Sequence, residues 1–281
     1  MRHNIGIMQG RLTKPKGRGI QFFPFDNWKQ EFHDAKDVGL DEIEFIFDYD
    51  DYWKNPLWTE EGIKELGSIM SETGVRVNAI CFDYFMRRPF YKYHGDEKRI
   101  VKDENTQIIM RILGAMRTLG ISLIEIPSVD ASSMQNDCEK EDYAVWLKNL
   151  AIANRDIRFG METDLPPYEF LSFIENINLT NVGANYDSGN SSGMGYDLYE
   201  EVTVLREHIF NIHIKDRKLQ GTTVQLGTGN ADFDRLFRGL KEIRYSMSFI
   251  LQAARGIEGS EAKNISRQKE FVETMINRYG L

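Results

Sequence analysis

The amino-acid sequence predicts a (β/α)8 TIM barrel, read as one domain over residues 1–281. Three observations carry that prediction. Short apolar runs alternate with amphipathic stretches along the whole chain, the pattern of a parallel sheet with crossover helices. The runs number eight, and 281 residues suits a barrel of that size. Glycine closes several amphipathic stretches just before the next run, at Val38-Gly39, Thr73-Gly74 and Leu119-Gly120, where a helix would end on a left-handed residue.

The eight strands are expected at Asn4–Met8, Asp41–Phe47, Val75–Phe82, Leu123–Ile126, Arg158–Glu162, Val182–Asp187, Ile209–Ile214 and Ser246–Leu251. Between them, Trp28, Phe32, Ala35 and Val38 fall on one helical face, as do Ile63, Leu66 and Met70, and Ile108, Ile112, Leu113 and Met116. Further helices are expected near Tyr143–Asn154, Pro167–Glu175, Tyr199–Arg206, Phe233–Glu242 and Arg267–Asn277. A doubly wound open sheet is the competing architecture. It would usually carry a glycine-rich turn after its first strand, and Met8-Gln-Gly-Arg-Leu-Thr13 has none. Two long loops, Thr13–Asp26 and Asp83–Asn105, follow strand ends and should overhang one face.

Bulk properties exclude several classes. A formal net charge of −8 argues against nucleic-acid binding, which needs a basic footprint. No apolar run is long enough to span a membrane, and the N-terminal residues lack the apolar stretch of a secretion signal. Cys81 and Cys138 have no disulfide or zinc-ligand pattern, which suits a reducing, cytoplasmic compartment.

Chemistry concentrates at the ends of the last four runs. Glu162, Asp187, His213 and Gln252 each close one, and in a parallel barrel those ends share the active face. Two carboxylates, an imidazole and an amide oxygen suit a divalent ion, with Mn²⁺, Mg²⁺ or Co²⁺ favoured over Zn²⁺. Taken singly, Asp187 in Asp-Ser-Gly-Asn190 also reads as a turn, and His213 as a core histidine.

The motifs Gly6-Ile-Met-Gln-Gly-Arg-Leu12, Phe159-Gly-Met-Glu-Thr163, Asn185-Tyr-Asp-Ser-Gly-Asn190, Asn211-Ile-His-Ile-Lys-Asp-Arg217 and Leu226-Gly-Thr-Gly-Asn-Ala-Asp-Phe233 run in order along nearly the whole chain. Together they resemble the xylose-isomerase-like superfamily, in its branch of ketose 3-epimerases and sugar-phosphate epimerases. The resemblance implies a metal held by the strand-five Glu, strand-six Asp, strand-seven His and strand-eight Glu. It also implies proton exchange by the two Glu residues on opposite faces of a sugar, and a homodimer. The matching positions are Glu162, Asp187, His213 and Gln252.

Gln252 departs from that pattern, because an amide ligates but exchanges no proton. Glu162 is then the base of a one-base isomerisation, or another acid serves, with Asp216, Glu125, Asp83 and His94 as candidates. Alternatively, catalysis is lost and the barrel only binds a sugar. Asn190 stands where such epimerases often carry a substrate-contacting His, and Arg217 matches a substrate-contacting arginine after strand seven. Glu44 and Glu125, charged residues inside apolar strands, should face the barrel interior and either bind substrate or hold a network.

Gln9, Arg11 and Arg255 follow strands one and eight, which are neighbours in a closed barrel. With Lys14, Lys16 and Arg18 they suggest an anionic sugar, phosphorylated or carboxylated. Gln21-Phe-Phe-Pro-Phe25 with Trp28 forms either a wall over the site or a hydrophobic staple for the first helix. Tyr84, Phe85, Phe90, Tyr91 and Tyr93, with Arg87 and Arg88, suggest a lid or a subunit contact. The expected function is a metal-dependent sugar isomerase or epimerase, with a sugar-acid lyase or dehydratase and a non-catalytic sugar-binding barrel as alternatives.

Overall fold

The computed structural model describes residues 3–15, 17 and 19–281. Lys16 and Arg18 of the first long loop lie outside the described residues. The barrel strands are β1 (Ile5–Met8), β2 (Glu42–Ile46), β3 (Ala79–Cys81), β4 (Leu123–Ser128), β5 (Arg158–Thr163), β6 (Val182–Asp187), β7 (Ile209–Ile214) and β8 (Phe249–Leu251). Each pairs in parallel with the next, and the last returns to β1 to close the barrel. A two-stranded hairpin of Asp216–Arg217 and Thr223–Val224 stands on the loop after β7.

The helices are α1 (Trp28–Val38), α2 (Glu60–Thr73), α3 (Tyr84–Arg87), α4 (Gly95–Leu119), α5 (Asp137–Ala153), α6 (Pro167–Ile177), α7 (Ser188–Met194), α8 (Leu198–Leu205), α9 (Phe233–Glu242) and α10 (Glu261–Tyr279). The apolar stripes read from the sequence are the buried faces: Trp28, Phe32 and Ala35 on α1, and Ile108, Ile112, Leu113 and Met116 on α4. The expected stops also hold, with Gly39, Gly74 and Gly120 each at positive φ.

Two expectations change. Of the run Val75–Phe82, only Ala79–Cys81 joins the sheet. Arg76 makes a single bridge to Glu42, and Asn78 hydrogen-bonds the Glu42 side chain. The segment Asp83–Asn105 is not an open loop, since it folds into α3, a 3₁₀ turn at Phe90–Lys92 and the first turns of α4. Most of its aromatic residues belong to the core, and Tyr93 is half-buried. Tyr84, Phe85, Phe90 and Tyr91 are buried, and Phe85 and Phe90 pack on Trp146 with ring centroids 5.2 and 5.4 Å away. Aromatic rings this large bury readily when a helix covers them.

The first long loop is anchored rather than draped. Phe23 packs edge-on against Phe25 and Phe45, and Trp28 against Phe45. Anchored in this way, the loop brings the Gln21 side chain to Gln252 after β8 and to Asp83 after β3.

Candidate active site

Strand alternation builds the site. On β5, β6 and β7, side chains two apart face the same way, so Glu162, Asn185 with Asp187, and Asn211 with His213 all turn inward. Asp187 lies in register with His213 across β6 and β7. The last strand is held by Ile250 opposite His213, and the Gln252 backbone amide then donates to the Ile214 carbonyl (3.0 Å). All four expected residues are thus buried at one end of the barrel.

Glu162, Asp187 and His213 present ligand atoms within 4.8 Å of one another. His213 Nδ1 is 3.3 Å from Glu162 Oε2 and 3.9 Å from Asp187 Oδ2. Its Nε2 lies 3.1 Å from Glu44 Oε1. Glu44 therefore grips the far side of the ring, the arrangement that fixes the orientation of metal-binding histidines. Asn211 Nδ2 donates to the other Glu44 oxygen (2.7 Å) and to Asn185 Oδ1 (2.8 Å), and Asn185 Nδ2 donates to Glu162 Oε2 (3.2 Å). Glu44 is fully buried within this network.

Asp187 is not in a turn, because it caps the short α7. Its Oδ1 accepts from the amides of Gly189 (2.7 Å) and Asn190 (2.8 Å). This leaves Oδ2 for the site, where Lys215 Nζ lies 3.1 Å away. Gly189 makes that approach possible, since a Cβ there would sit 2.8 Å from Lys215 Cβ. Asn190 Nδ2 donates to Glu162 Oε1. Its Oδ1 accepts from Lys215 Nζ (3.2 Å) and Arg217 Nη1 (3.1 Å). Arg217 is thus linked to the site through Asn190, and its Nε and Nη2 both bond the Gly221 carbonyl of the hairpin.

Lys215 is not among the site residues expected from the sequence. It sits two residues after His213, so the same alternation that turns His213 inward turns Lys215 inward. That spacing was a usable signal.

Charge follows the geometry. Burial would raise the Glu162 carboxyl, but the His213 hydrogen bond and charge, with Lys215, bring it below its ordinary value. Burial works against a charged His213, yet Glu44 and Glu162 lift its pKa well above the usual histidine range. Glu125 is the opposite case. Burial and the Glu162 charge push it well above the carboxylate range, and neither of its oxygens meets an N–H or hydroxyl donor among the described residues. It shares with Glu44 and His213 a second, deeper set of metal-capable atoms.

The other expected acids separate. Asp216 accepts from the Gly229 (2.8 Å) and Ala231 (3.0 Å) amides and holds the turn around Gly227–Gly229. His94 lies at the start of α4, away from the buried cluster. Asp83 accepts from Gln21 Nε2 (3.2 Å) and is raised to about 7 by burial and by Asp48. Gln21 was missed as a site residue.

Arg255 is placed differently from its expected substrate contact. Its guanidinium donates to the carbonyls of Gly10 (2.7 Å), Thr13 (2.9 Å) and Ile20 (3.0 Å) and lies over the Phe22 ring. It clamps the first loop, with Glu31 accepting the Gly10 and Leu12 amides from the other side. Gln9 serves the sheet through Oε1, which accepts from the Ile46 amide (3.0 Å). Arg11 is 4% exposed, its Nη1 donates to the Ala253 carbonyl (3.0 Å), and its Nε has no partner. Among the described residues no carboxylate forms an ion pair with it, and burial and Arg255 lower its pKa to about 9.

The residues present fit a divalent cation. Gln252 Oε1 is buried and has no hydrogen-bond partner among the described residues, while Gln252 Nε2 donates to Gln21 Oε1 (3.1 Å). A buried amide oxygen without a partner, at the barrel end that also holds two carboxylates and an oriented imidazole, is a donor set suited to a cation.

Comparison with known proteins agrees with this geometry. Residues 32–274 match the family described as xylose isomerase-like TIM barrel. The chain belongs to that family. Among curated relatives, the L-ribulose-5-phosphate 3-epimerase UlaE of Salmonella heidelberg is 26% identical over 265 residues, covering 90% of this chain and 92% of that protein. A solved L-ribulose 3-epimerase superposes with a TM-score of 0.77 at 16% identity, over 99% of this chain and 96% of that one. The D-allulose 3-epimerase from Methylomonas sp., in complex with D-allulose, gives 0.74 at 14% identity, over 98% and 97%. An IOLI protein with a bound zinc atom gives 0.75 at 17% identity, over 98% and 99%. At these identities the three structures share the xylose isomerase-like fold. No described helix is long and apolar enough to cross a membrane.

Proposed function

We propose that this protein is a divalent-metal-dependent sugar isomerase or epimerase acting through an enediolate, with Glu162 as the base. The observation that carries the reading is the convergence of Glu162, Asp187 and His213 within ligand distance of one another, at the barrel end where Gln252 Oε1 is buried with no partner among the described residues. The likeness to an L-ribulose-5-phosphate 3-epimerase supports it. Glu162, Asp187, His213 and Gln252 would hold the ion. When bound, it would act as a Lewis acid toward a carbonyl and an adjacent hydroxyl.

The protein's own residues divide the remaining work. Glu162 is ionised at neutral pH and takes a proton from the carbon beside the carbonyl. Asn190 bonds Glu162 Oε1, and Asn185 bonds Oε2. Lys215 and Arg217 place positive charge next to Asn190, where they neutralise developing enediolate charge. Gln252 returns no proton, so Glu162 moves the proton along one face, as aldose–ketose isomerisation requires. Inversion at carbon would need a second proton carrier. Arg11, a buried cation that forms no ion pair with a carboxylate among the described residues, favours an anionic sugar, phosphorylated or carboxylated.

The test is solvent-deuterium incorporation into ketose and aldose phosphates and sugar acids, followed by NMR with Mn²⁺ or Co²⁺ present. Incorporation that falls by about 10²–10⁴ in Glu162→Gln supports the reading. Saturable sugar binding without exchange, and with affinity unchanged in Glu162→Gln, would assign the non-catalytic role instead.

A further inference from the structure

Gln252 poses a problem that the rest of the site does not. An amide has an oxygen end that binds cations and a nitrogen end that repels them, and the two are interchangeable by a half-turn. A carboxylate in this place needs no such choice. Something must hold Gln252 with its oxygen toward Glu162, Asp187 and His213.

We propose that Gln21 and Asp83 form a polarity relay that fixes the Gln252 amide with its oxygen facing the cation site. The relay rests on the metal-site reading above and runs outward from Asp83. Its Oδ1 takes a hydrogen bond from Gln21 Nε2 (3.2 Å). The second Gln21 N–H points toward Cys81 Sγ (4.0 Å). With its nitrogen end so engaged, Gln21 can offer Gln252 only its oxygen. Gln252 Nε2 donates to it (3.1 Å), and Gln252 Oε1 is left buried with no hydrogen-bond partner among the described residues. Reversing Gln252 would set two carbonyl oxygens against each other at Gln21 and an NH₂ group against the cation.

The relay also explains the investment in the first loop. Gln21 follows Ile20, whose carbonyl is held by Arg255, and precedes Phe22, whose ring lies under the same guanidinium at 4.9 Å. Arg255 is therefore a positioning residue two steps removed from the ion. Asp83 and Gln21 are the positioning residues that set the donor identity of the fourth ligand. In this way a chain without the strand-eight carboxylate retains an oxygen ligand of fixed direction.

The test is Mn²⁺ affinity of the full chain, by calorimetry or by the spectrum of free Mn²⁺, with Asp187→Ala as the control for site binding. Asp83→Leu and Gln21→Leu each weaken Mn²⁺ about 10- to 100-fold, the usual effect of losing a partner that orients a ligand. The double variant Asp83→Asn/Gln21→Glu keeps affinity within about threefold of wild type. The amide introduced at position 83 then donates to the carboxylate introduced at position 21, which accepts from Gln252 as before. A merely structural role would not show this retention. Asp187-dependent Mn²⁺ binding that is unchanged in Asp83→Leu and Gln21→Leu overturns the relay and leaves the metal site standing. Absence of Asp187-dependent binding in wild type overturns both. Independently of metal, the relay requires slow solvent exchange of the Gln252 side-chain amide protons in wild type and faster exchange in Gln21→Leu. Equal rates overturn it.

Discussion

The two halves of the site are built on different terms. On the β5–β7 side, Glu162, Asp187, Asn190 and His213 are cross-linked by direct hydrogen bonds, and two cations stand beside them. On the β8 side stands one amide, bonded through its nitrogen to a loop residue, with its oxygen unpartnered among the described residues. The first half is pre-organised by strand register and by the short α7 and the hairpin that follow β6 and β7. The second depends on the loop after β1 and on the clamp that fixes that loop. A site can thus lose a carboxylate from one wall and keep its ligand geometry, while giving up the second proton carrier.

Breaking the well-organised half has the largest effect. Glu44→Ala leaves a buried His213 without its rear partner and frees the ring, which should cost 10- to 100-fold in Mn²⁺ affinity and several kcal/mol of stability, on the order of 3–5 for uncoupling a buried charge pair. Titration with Mn²⁺ and denaturant unfolding read the two effects separately. Affinity unchanged in a folded variant would contradict the assigned support.

Gln252→Glu sharpens the comparison from the other side. A third carboxylate adds a close negative charge and should tighten Mn²⁺ by about tenfold or more. It also reverses the donor requirement at Gln21, so the double variant Gln252→Glu/Asp83→Asn should bind more tightly still. An affinity below wild type in both would show that the amide serves some purpose other than ligation.

Arg255→Ala releases three loop carbonyls. Hydrogen bonds to a charged donor contribute about 1.5–3 kcal/mol each at most, and partial solvation of the freed carbonyls limits the total loss to about 2–3 kcal/mol. Because the loop carries Gln21, Mn²⁺ affinity should fall as well. Loss of stability without loss of affinity would separate the clamp from the site.

The smallest effect is on pH dependence. Burial raises Glu201 to about 7, against hydrogen bonds from Ser191 and Tyr186, and raises Glu31 to about 7 against the amides of Gly10 and Leu12. A carboxyl raised above its unfolded value contributes stability that is complete below the unfolded value and is lost as pH rises through the folded one. Thermal stability should therefore decline between about pH 5 and pH 8. Glu201→Gln should make the decline shallower by about 1–3 kcal/mol, since hydroxyls can donate to or accept from an amide. A parallel curve in the variant would remove Glu201 from the account.

Much of this architecture was legible in the sequence, for identifiable reasons. The barrel strands showed because each is an apolar run with a turn signal, and Glu162, Asp187, His213 and Gln252 showed because each ends one. The α7 helix did not, because Asp-Ser-Gly-Asn also describes a turn and only the capping geometry decides between them. Lys215 could have been found by extending the alternation two residues past His213. Gln21 and Arg255 could not have been assigned, because one lies in a loop without period and the other bonds backbone carbonyls, which leave no mark in a sequence. The aromatic segment after β3 looked like a lid because composition does not distinguish a buried cluster from an exposed one.

The most direct measurement is the divalent-metal content of the purified protein by elemental mass spectrometry, beside Asp187→Ala. The account predicts close to one equivalent of metal in wild type, present as isolated or after incubation with Mn²⁺ or Co²⁺, and its loss in the variant. Wild-type protein that retains no metal after that incubation would contradict it.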